Sequence, residues 1–196
     1  HQGLKILVRG GNTGLAALAA AAGLHGPITA ERIAFGLAPR LNAAGRLGDA
    51  SLAAELLTTT DAARAAALAF ELDRLNADRR QVEQGVEAAV TAGLAAQLEA
   101  GRRVLLAAGD GWHPGVLGIV AGRLAERFHR PVFVAGIREG AATGSARGPI
   151  GFDIGAALHA AGAAGLTLKA GGHARAGGFT VARDHLEAFH DLLEDR

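Results

Sequence analysis

The stretch GGHARAGGF, residues 171–179, sets one histidine between two pairs of glycines. Glycines leave backbone amides open to a ligand oxygen, and a histidine beside them can donate a hydrogen bond or transfer a proton. His173 is therefore a candidate functional residue, and Gly171 and Gly172 are candidates for contact with a ligand oxygen. We expect the two glycines to form a turn from which His173 projects, ahead of a strand over GGFTVA. The alternative is a histidine with a purely structural role.

Ser145 and Arg147 are two residues apart in the stretch TGSARG. Residues at this spacing on a strand project to the same side of it. A hydroxyl and a guanidinium side by side can clamp a phosphate, because both donate hydrogen bonds to its oxygens. The pattern therefore predicts a phosphate-binding pair, and the alternative is an ordinary pair of residues on an edge strand.

The stretch GDGWHPGVLGIVAGRL predicts a strand end, a turn with Trp112 and His113, and a helix that begins near Pro114. Backbone amides at the start of a helix favour an anion, and His113 could add a hydrogen bond or a proton. His113 is therefore a further candidate ligand of phosphate. The alternative is a packed turn in which Trp112 fills the edge of the core.

In the stretch GLAPRLNAAGRLGDA, Arg40, Asn42 and Arg46 are polar groups of the kind that bind phosphates. Arg40 and Arg46 are six residues apart, so a straight helix would direct them to different sides. A break at Gly45 would change that geometry. The alternative function of the stretch is close helix packing through its small residues.

These stretches lie in a chain whose pattern changes near residue 100. Residues 12–60 predict short helices, with Thr29 as an N-cap, and residues 61–97 predict one long helix with an apolar stripe. From about residue 100, strand-like and helical segments alternate, which indicates an α/β or α+β domain of about 100 residues. The sequence therefore predicts a helical part, a long connecting helix and a domain with a sheet.

Composition excludes several classes of protein. The chain has no cysteine, so disulfide scaffolds, thiolate zinc sites and cysteine nucleophiles are excluded, and a reducing compartment such as the cytoplasm is favoured. No apolar run approaches the length of about 20 residues that crosses a bilayer, so we expect no membrane association. P-loop, HExxH and GxSxG motifs are absent, and His185 and His190 are spaced to diverge on a helix.

The positive charge is carried almost entirely by arginine. Lys5 and Lys169 are the two lysines, so 18 of the 20 basic residues are arginine, although the net charge is only +1. Arginine suits bidentate phosphate binding better than lysine does. The alternative explanation is a GC-rich genome.

Taken together, APRLNAAGR, GWHPGVLGIVAGRL, GSARG and GGHARAGGF resemble, in order and approximate spacing, the RecJ family of single-strand-specific 5′ to 3′ exonucleases in the DHH phosphoesterase superfamily. The resemblance covers about residues 28–181. It implies an α/β fold: a helical end of a DHH catalytic domain over 1–60, a connector helix over 61–99, and a mixed-sheet accessory domain that binds substrate over 100–196. It also implies that Gly171, Gly172 and His173 face the family's metal centre and the substrate phosphate.

The family's aspartate-rich metal site and its Asp-His-His triplet do not occur in this sequence. We therefore expect a fragment that is inactive alone, with no metal ligand of its own, and with Mn²⁺ or Mg²⁺ bound by residues outside it. The fragment would supply contacts to phosphate and to the transition state, through Arg40, Asn42, Arg46, His113, Ser145, Arg147 and His173.

The resemblance implies single-stranded DNA as the ligand, a role in DNA repair and recombination, and a single-strand-binding protein and a helicase as partners. Two alternatives remain open. One is another DHH phosphoesterase, which degrades short oligonucleotides or cyclic dinucleotides. The other is a RecJ-like scaffold without catalytic activity. The residues that precede His1 would separate these possibilities, because they would show whether the Asp-His-His triplet is present.

Overall fold

The computed structural model describes residues 3–4 and 11–196 of the chain. The described residues up to Gln81 form one compact unit, and residues from Val82 to Arg196 form a second. Within the described ranges, no helix is both long and apolar enough to cross a membrane. Residues 1–2 and 5–10 of the predicted first domain, including Lys5, lie outside the described part.

The first unit is helical. Its elements are α1 (Thr13–Ala21), α2 (Ala30–Arg32), a π-helical turn (Ile33–Leu37), α3 (Ala38–Leu47), α4 (Ser51–Thr58) and the N-terminal part of α5 (Ala62–Glu99). Its core is formed by leucines and alanines of these helices, among them Leu18, Leu37, Leu56, Leu68 and Leu72. Tight packing of small side chains therefore holds this unit together.

Short polar side chains cap these helices, and the predicted cap at Thr29 is among them. The Asn12 side chain accepts a hydrogen bond from the Leu15 amide at 2.8 Å, and the Thr29 hydroxyl accepts one from the Arg32 amide at 3.2 Å. Asp61 accepts from the Ala63 amide at 2.8 Å, where α5 begins. Each cap satisfies an amide that has no partner within its helix.

The second unit contains a five-stranded sheet with the strand order β1-β2-β3-β5-β4. Its elements are the remainder of α5, then β1 (Leu105–Asp110), α6 (Pro114–Phe128), β2 (Val132–Arg138), β3 (Ala141–Arg147), α7 (Ile154–Ala163), β4 (Lys169–His173), β5 (Ala176–Ala182), a 3₁₀ turn (Arg183–His185) and α8 (Leu186–Glu194). Strands β1 and β2 are parallel, and the other neighbours are antiparallel. The predicted α/β class is confirmed.

Alternating residues of the sheet fill two cores, one on each face. On one face, Phe133, Phe179 and Phe189 pack with ring centroids 5.3–5.9 Å apart, together with residues of α7 and α8. On the other face, Val132 and Val134 pack against α6 and the C-terminal part of α5. The sheet is therefore the middle layer of the second unit.

Two local predictions are wrong. Gly171 and Gly172 do not form a turn: they lie in strand β4, which the sequence analysis missed, and the turn to β5 is Ala174–Arg175. Neither glycine has a positive φ, so neither needs a conformation reserved for glycine. Gly45 does not break its helix, because α3 continues from Ala38 to Leu47 and covers that position.

The last helix is joined to the first strand by a carboxylate clamp. The Glu194 carboxylate accepts hydrogen bonds from the backbone amides of Arg103 at 2.6 Å and Val104 at 3.0 Å. Burial raises the pKa of Glu194, but the two amides together with the nearby Arg102 and His190 outweigh that effect, and the pKa lies below its ordinary value. His190 adds a hydrogen bond of 2.8 Å to the Val104 carbonyl.

Candidate phosphate-binding face of the sheet

The part of the sheet beside α6 presents a polar, glycine-rich surface. Helix α6 packs on β2 and β3, whereas Gly178 of β5 and Gly171 and His173 of β4 are exposed on the same face. We call this surface, formed by alternate residues of β3, β5 and β4, the open face. Its members are Thr143, Ser145, Arg147, Ala176, Gly178, Thr180, Lys169, Gly171 and His173.

Strand register places the predicted residues in rows across the open face. Ser145 pairs with Gly178, which pairs with Gly171. Arg147 pairs with Ala176, which pairs with His173. Since neighbouring strands are about 4.8 Å apart, the backbones of Arg147 and His173 are about 10 Å apart. Residues from separate parts of the sequence thus meet on one surface.

The Arg147 side chain lies along α6, because Gly118 and Gly122 of that helix leave room for it. A methyl group built at Gly118 would lie 2.9 Å from Nη2 of Arg147 and 3.4 Å from Oγ of Ser145. The aliphatic part of Arg147 passes Gly122, and its Nη1 donates to the Ala146 carbonyl at 2.8 Å. The predicted same-side placement of Ser145 and Arg147 is therefore present, with α6 as a wall beside it.

The glycines of the β4–β5 hairpin divide by face. A methyl at Gly172 would lie 2.5 Å from the Ala176 carbonyl oxygen and from the Cα of Gly177, so the close backbone of β5 requires glycine there. Gly171, on the open face, has nothing within 4 Å of such a methyl, and at Gly178 only the Gly144 carbonyl oxygen comes near, at 3.8 Å. Gly172 is therefore needed for packing, whereas Gly171 and Gly178 leave the backbone of the open face accessible to a ligand.

His173 lies at the end of the edge strand β4 and is exposed. His173 is therefore not packed in the core, and its role in the site stays a prediction. Its cross-strand partner Ala176 has a small side chain, so the imidazole can be approached from the open face.

His113 caps the helix that the sequence predicts at Pro114. Its Nδ1 accepts a hydrogen bond from the Gly115 amide at 3.1 Å, and its side chain is exposed. Trp112 packs against the core and lies over Gly109, as the packed-turn alternative expects. A cleft of about 510 Å³ joins His113 to Thr143 at one end of the open face. The packed turn and a ligand-binding role for His113 are therefore compatible.

Arg40, Asn42 and Arg46 lie on α3 in the first unit. Arg40 donates from Nε to Asp73 and from Nη1 to the Gly36 carbonyl, both at 2.7 Å, and its side chain is 15% exposed. Since α3 is continuous, Asn42 and Arg46 share one side of it and Arg40 lies on another. Arg40 thus has a clear structural role, whereas Asn42 is exposed and Arg46 half-buried.

Sequence analysis missed three residues of the open face. The Thr143 and Thr180 hydroxyls are 3.1 Å apart across β3 and β5, and Lys169 follows in the same row on β4. Alternation within AATGSAR already puts Thr143 on the side of Ser145 and Arg147. Thr180 and Lys169 could be found only from the strand register.

A metal site in this chain would need several His, Asp or Glu side chains grouped together. Within 3–4 and 11–196, no three His, Asp or Glu side chains are grouped so that they could hold a metal ion.

Comparison with known proteins agrees with this architecture. Residues 95–196 match the DHHA1 domain. The chain is 42% identical over 175 residues to the single-stranded-DNA-specific exonuclease RecJ of Dickeya dadantii, covering 86% of this chain and 30% of that protein. It is 40% identical over 182 residues to RecJ of Thermus thermophilus, covering 92% of this chain and 25% of that protein. The chain thus spans less than a third of the length of these curated relatives.

Solved structures give the same result. The crystal structure of Thermus thermophilus RecJ in complex with Mg²⁺ matches 93% of this chain with a TM-score of 0.81 at 38% identity, over 28% of that chain. The Mn²⁺ complex of the same protein matches with a TM-score of 0.80 at 39% identity, over 26% of its chain. From the match of more than half its residues, and from a fold shared with RecJ, we conclude that the chain belongs to the DHHA1 domain family.

Proposed function

We propose that this chain binds the phosphates of single-stranded DNA as part of a metal-dependent 5′ to 3′ exonuclease of the RecJ type. The observation that carries the proposal is the pair of cross-strand rows that bring Ser145, Arg147 and His173 to one open face. The similarity to RecJ proteins supports the choice of ligand, since the matching relatives are named for single-stranded DNA.

Each residue has a distinct part in this proposal. Arg147 and Ser145 donate hydrogen bonds to phosphate oxygens, and the wall of α6 holds the guanidinium in place. Gly171 and Gly178 let the sugar-phosphate chain approach the sheet closely. His173 donates a hydrogen bond, or a proton, to a phosphate or leaving oxygen at the edge of the sheet. His113 binds a further phosphate at the start of α6.

We propose that residues of the first unit make weaker contacts with phosphate. Asn42 and Arg46 face the same way on α3 and would bind phosphate together. Arg40 would contribute through Nη2, because its Nε and Nη1 are held by Asp73 and Gly36.

Divalent cations, Mn²⁺ or Mg²⁺, would be bound by residues outside this chain. The solved RecJ structures that the chain matches are complexes with these ions. Such ions supply an activated water and neutralise charge on a phosphate. Binding and orienting the strand is what the residues of this chain contribute.

The open face has no Phe, Trp or Tyr side chain, so base stacking contributes little there and sequence preference should be weak. The biological setting that we propose is DNA repair and recombination in the cytoplasm, with a single-strand-binding protein and a helicase as partners. We also propose that residues 1–60, 61–99 and 100–196 are the end of the catalytic domain, the connector helix and the accessory domain.

The proposal is tested by titrating the purified chain with a 5′-phosphorylated oligothymidylate, the same strand without the phosphate, and a blunt duplex. We expect the phosphorylated single strand to bind most tightly, and its affinity to fall with salt. Equal affinity for the duplex would exclude a preference for single strands, and equal loss for Arg147→Ala and the exposed control Arg127→Ala would exclude phosphate binding at the open face.

A further inference from the structure

A second cleft lies at the other end of the open face from His113. It has a volume of about 620 Å³ and joins the C-terminal half of α6 to the β3–α7 loop and the β4–β5 turn. Its walls include Arg147, Arg175, His129, Pro149 and Ile150. A volume of this size is in the range of small-ligand sites. The cleft therefore adjoins the proposed phosphate site and shares Arg147 with it.

Ile150 is presented to solvent at the rim of this cleft. It lies at the tip of the turn after β3 and is 88% exposed. Gly151, with a φ of 103°, holds that turn in a conformation that glycine adopts readily. Pro149 before it restricts the backbone further. The turn thus presents an apolar surface, which is suited to a flat apolar ligand group.

Cations face this apolar rim. Arg175 donates from Nε to the Gly148 carbonyl at 2.8 Å, which fixes its side chain across the β3–α7 loop and directs the rest of its guanidinium to the cleft. Arg147 forms part of the same wall, and His129 lies at the end of α6. Glu126 is the one acidic residue that lines the cleft, so the lining carries a net positive charge.

We infer that this cleft binds one nucleotide of the strand, next to the phosphate held by Ser145 and Arg147. Arg175 contacts its phosphate, and Ile150 with Pro149 covers one side of its base. This inference rests on the proposed function, and it adds Arg175 and Ile150 as binding residues. The combination of a guanidinium and an apolar surface in one cleft suits a nucleotide, which is anionic at one end and apolar on its base.

The inference is tested with the purified 196-residue chain and two labelled strands of equal length. One is a 5′-phosphorylated oligothymidylate, and the other carries the same phosphates on abasic units. Arg175→Gln should weaken binding of both strands about ten-fold and lower the slope of log affinity against log salt by about 0.7, as for one lost phosphate contact. Ile150→Ser should weaken the thymidylate strand about five-fold and leave the abasic strand unchanged.

Matched controls are Arg127→Gln, an exposed arginine on α6 away from the sheet, and Leu168→Ser, which replaces a leucine that is 66% exposed. Both should bind like the parent chain. Melting temperatures show whether Arg175→Gln loosens the β3–α7 loop. Ile150→Ser supplies an independent measurement, because an exposed side chain contributes little to folding.

The outcomes separate this inference from the proposed function. If Arg147→Ala weakens binding but Arg175→Gln and Ile150→Ser do not, the nucleotide site is wrong and the open face stands. If Ile150→Ser weakens both strands equally, no base lies on the turn, and the inference fails. If the chain binds neither strand, both proposals are wrong.

Discussion

Arg147 and His173 occupy one cross-strand row, separated only by Ala176 of the strand between them. Because the side chain of Ala176 is small, it does not block a ligand between the guanidinium of Arg147 and the imidazole of His173. A ligand about 10 Å long could therefore touch both groups at once. The relationship depends on register alone, since a shift of one residue in β5 would turn every side chain of that strand to the other face.

Replacing Arg147 with alanine should weaken binding of a 5′-phosphorylated single strand by about 1 to 3 kcal/mol, as expected for a lost charge-assisted hydrogen bond. The salt dependence of binding should fall as well, because one phosphate contact is lost. Ser145→Ala should have a smaller effect, since it removes a neutral donor. Fluorescence anisotropy over a salt series measures both. Parent-like binding by both variants would make these residues ordinary strand residues.

His173→Ala is expected to lower kcat by about 100-fold or more in a RecJ-type exonuclease that contains this segment, the scale for one lost proton-transfer or oxyanion partner. The melting temperature should stay unchanged, because His173 is exposed. Single-turnover rates and melting curves from one preparation provide the measurement. A less stable protein with an unchanged rate would contradict the active-site role.

Gly172→Ala should destabilise the chain by about 1 to 3 kcal/mol, because its methyl would meet backbone atoms that cannot easily move. Gly171→Ala is the matched control on the opposite face and should leave stability unchanged, since its methyl meets nothing within 4 Å. The same control should weaken binding, because it fills the open face. Urea unfolding and strand binding, measured on both variants, give the comparison. Equal stabilities would show that the hairpin does not need glycine at Gly172.

The Glu194 clamp predicts a pH dependence of stability. Because the folded-state pKa of Glu194 lies below its ordinary value of 4.5, the carboxylate contributes stability above that pH and loses it as the pH falls through the lower folded value. Glu194→Gln should therefore be about 1 to 3 kcal/mol less stable than the parent near neutral pH, with the difference shrinking in acid. Urea unfolding at several pH values measures this, with the exposed Glu187→Gln as control. A difference independent of pH would contradict the clamp.

The 196-residue chain alone should release no mononucleotides with Mn²⁺ present, because we propose that the metal-binding residues belong to another part of the enzyme. Chromatography of products from a labelled single strand is the measurement. Robust, metal-dependent release by the purified chain would overturn the division of roles between this chain and the rest of the enzyme.

Local signals in the sequence were sufficient for most helices and strands. Thr29 and Asp61 cap helices because their short side chains reach nearby amides, an effect that depends only on neighbours in the chain. The alternation of Ser145 and Arg147 likewise predicted their common side. Such effects are local, so sequence suffices for them.

The hairpin of β4 and β5 shows where local signals fail. Glycine pairs usually indicate a turn, yet Gly171 and Gly172 are extended in β4. Helix α7 packs so closely on β4 that a methyl group at Gly155 would lie 3.1 Å from the Gly172 carbonyl oxygen. That contact joins separate elements of the chain. The role of Gly118 in making room for Arg147 is non-local in the same way, and so is the row of Thr143, Thr180 and Lys169.

The clamp between Glu194 and the amides of Arg103 and Val104 brings together residues about 90 positions apart. The segment from β1 to α8 consequently starts and finishes at the same point of its surface. A short peptide linker could join these two points, and new termini could be opened at the tight turn of Glu139 and Gly140, where both φ angles are positive. The segment is therefore suited to circular permutation and to transplantation only together with the C-terminal part of α5, which completes the core beside Val132 and Val134.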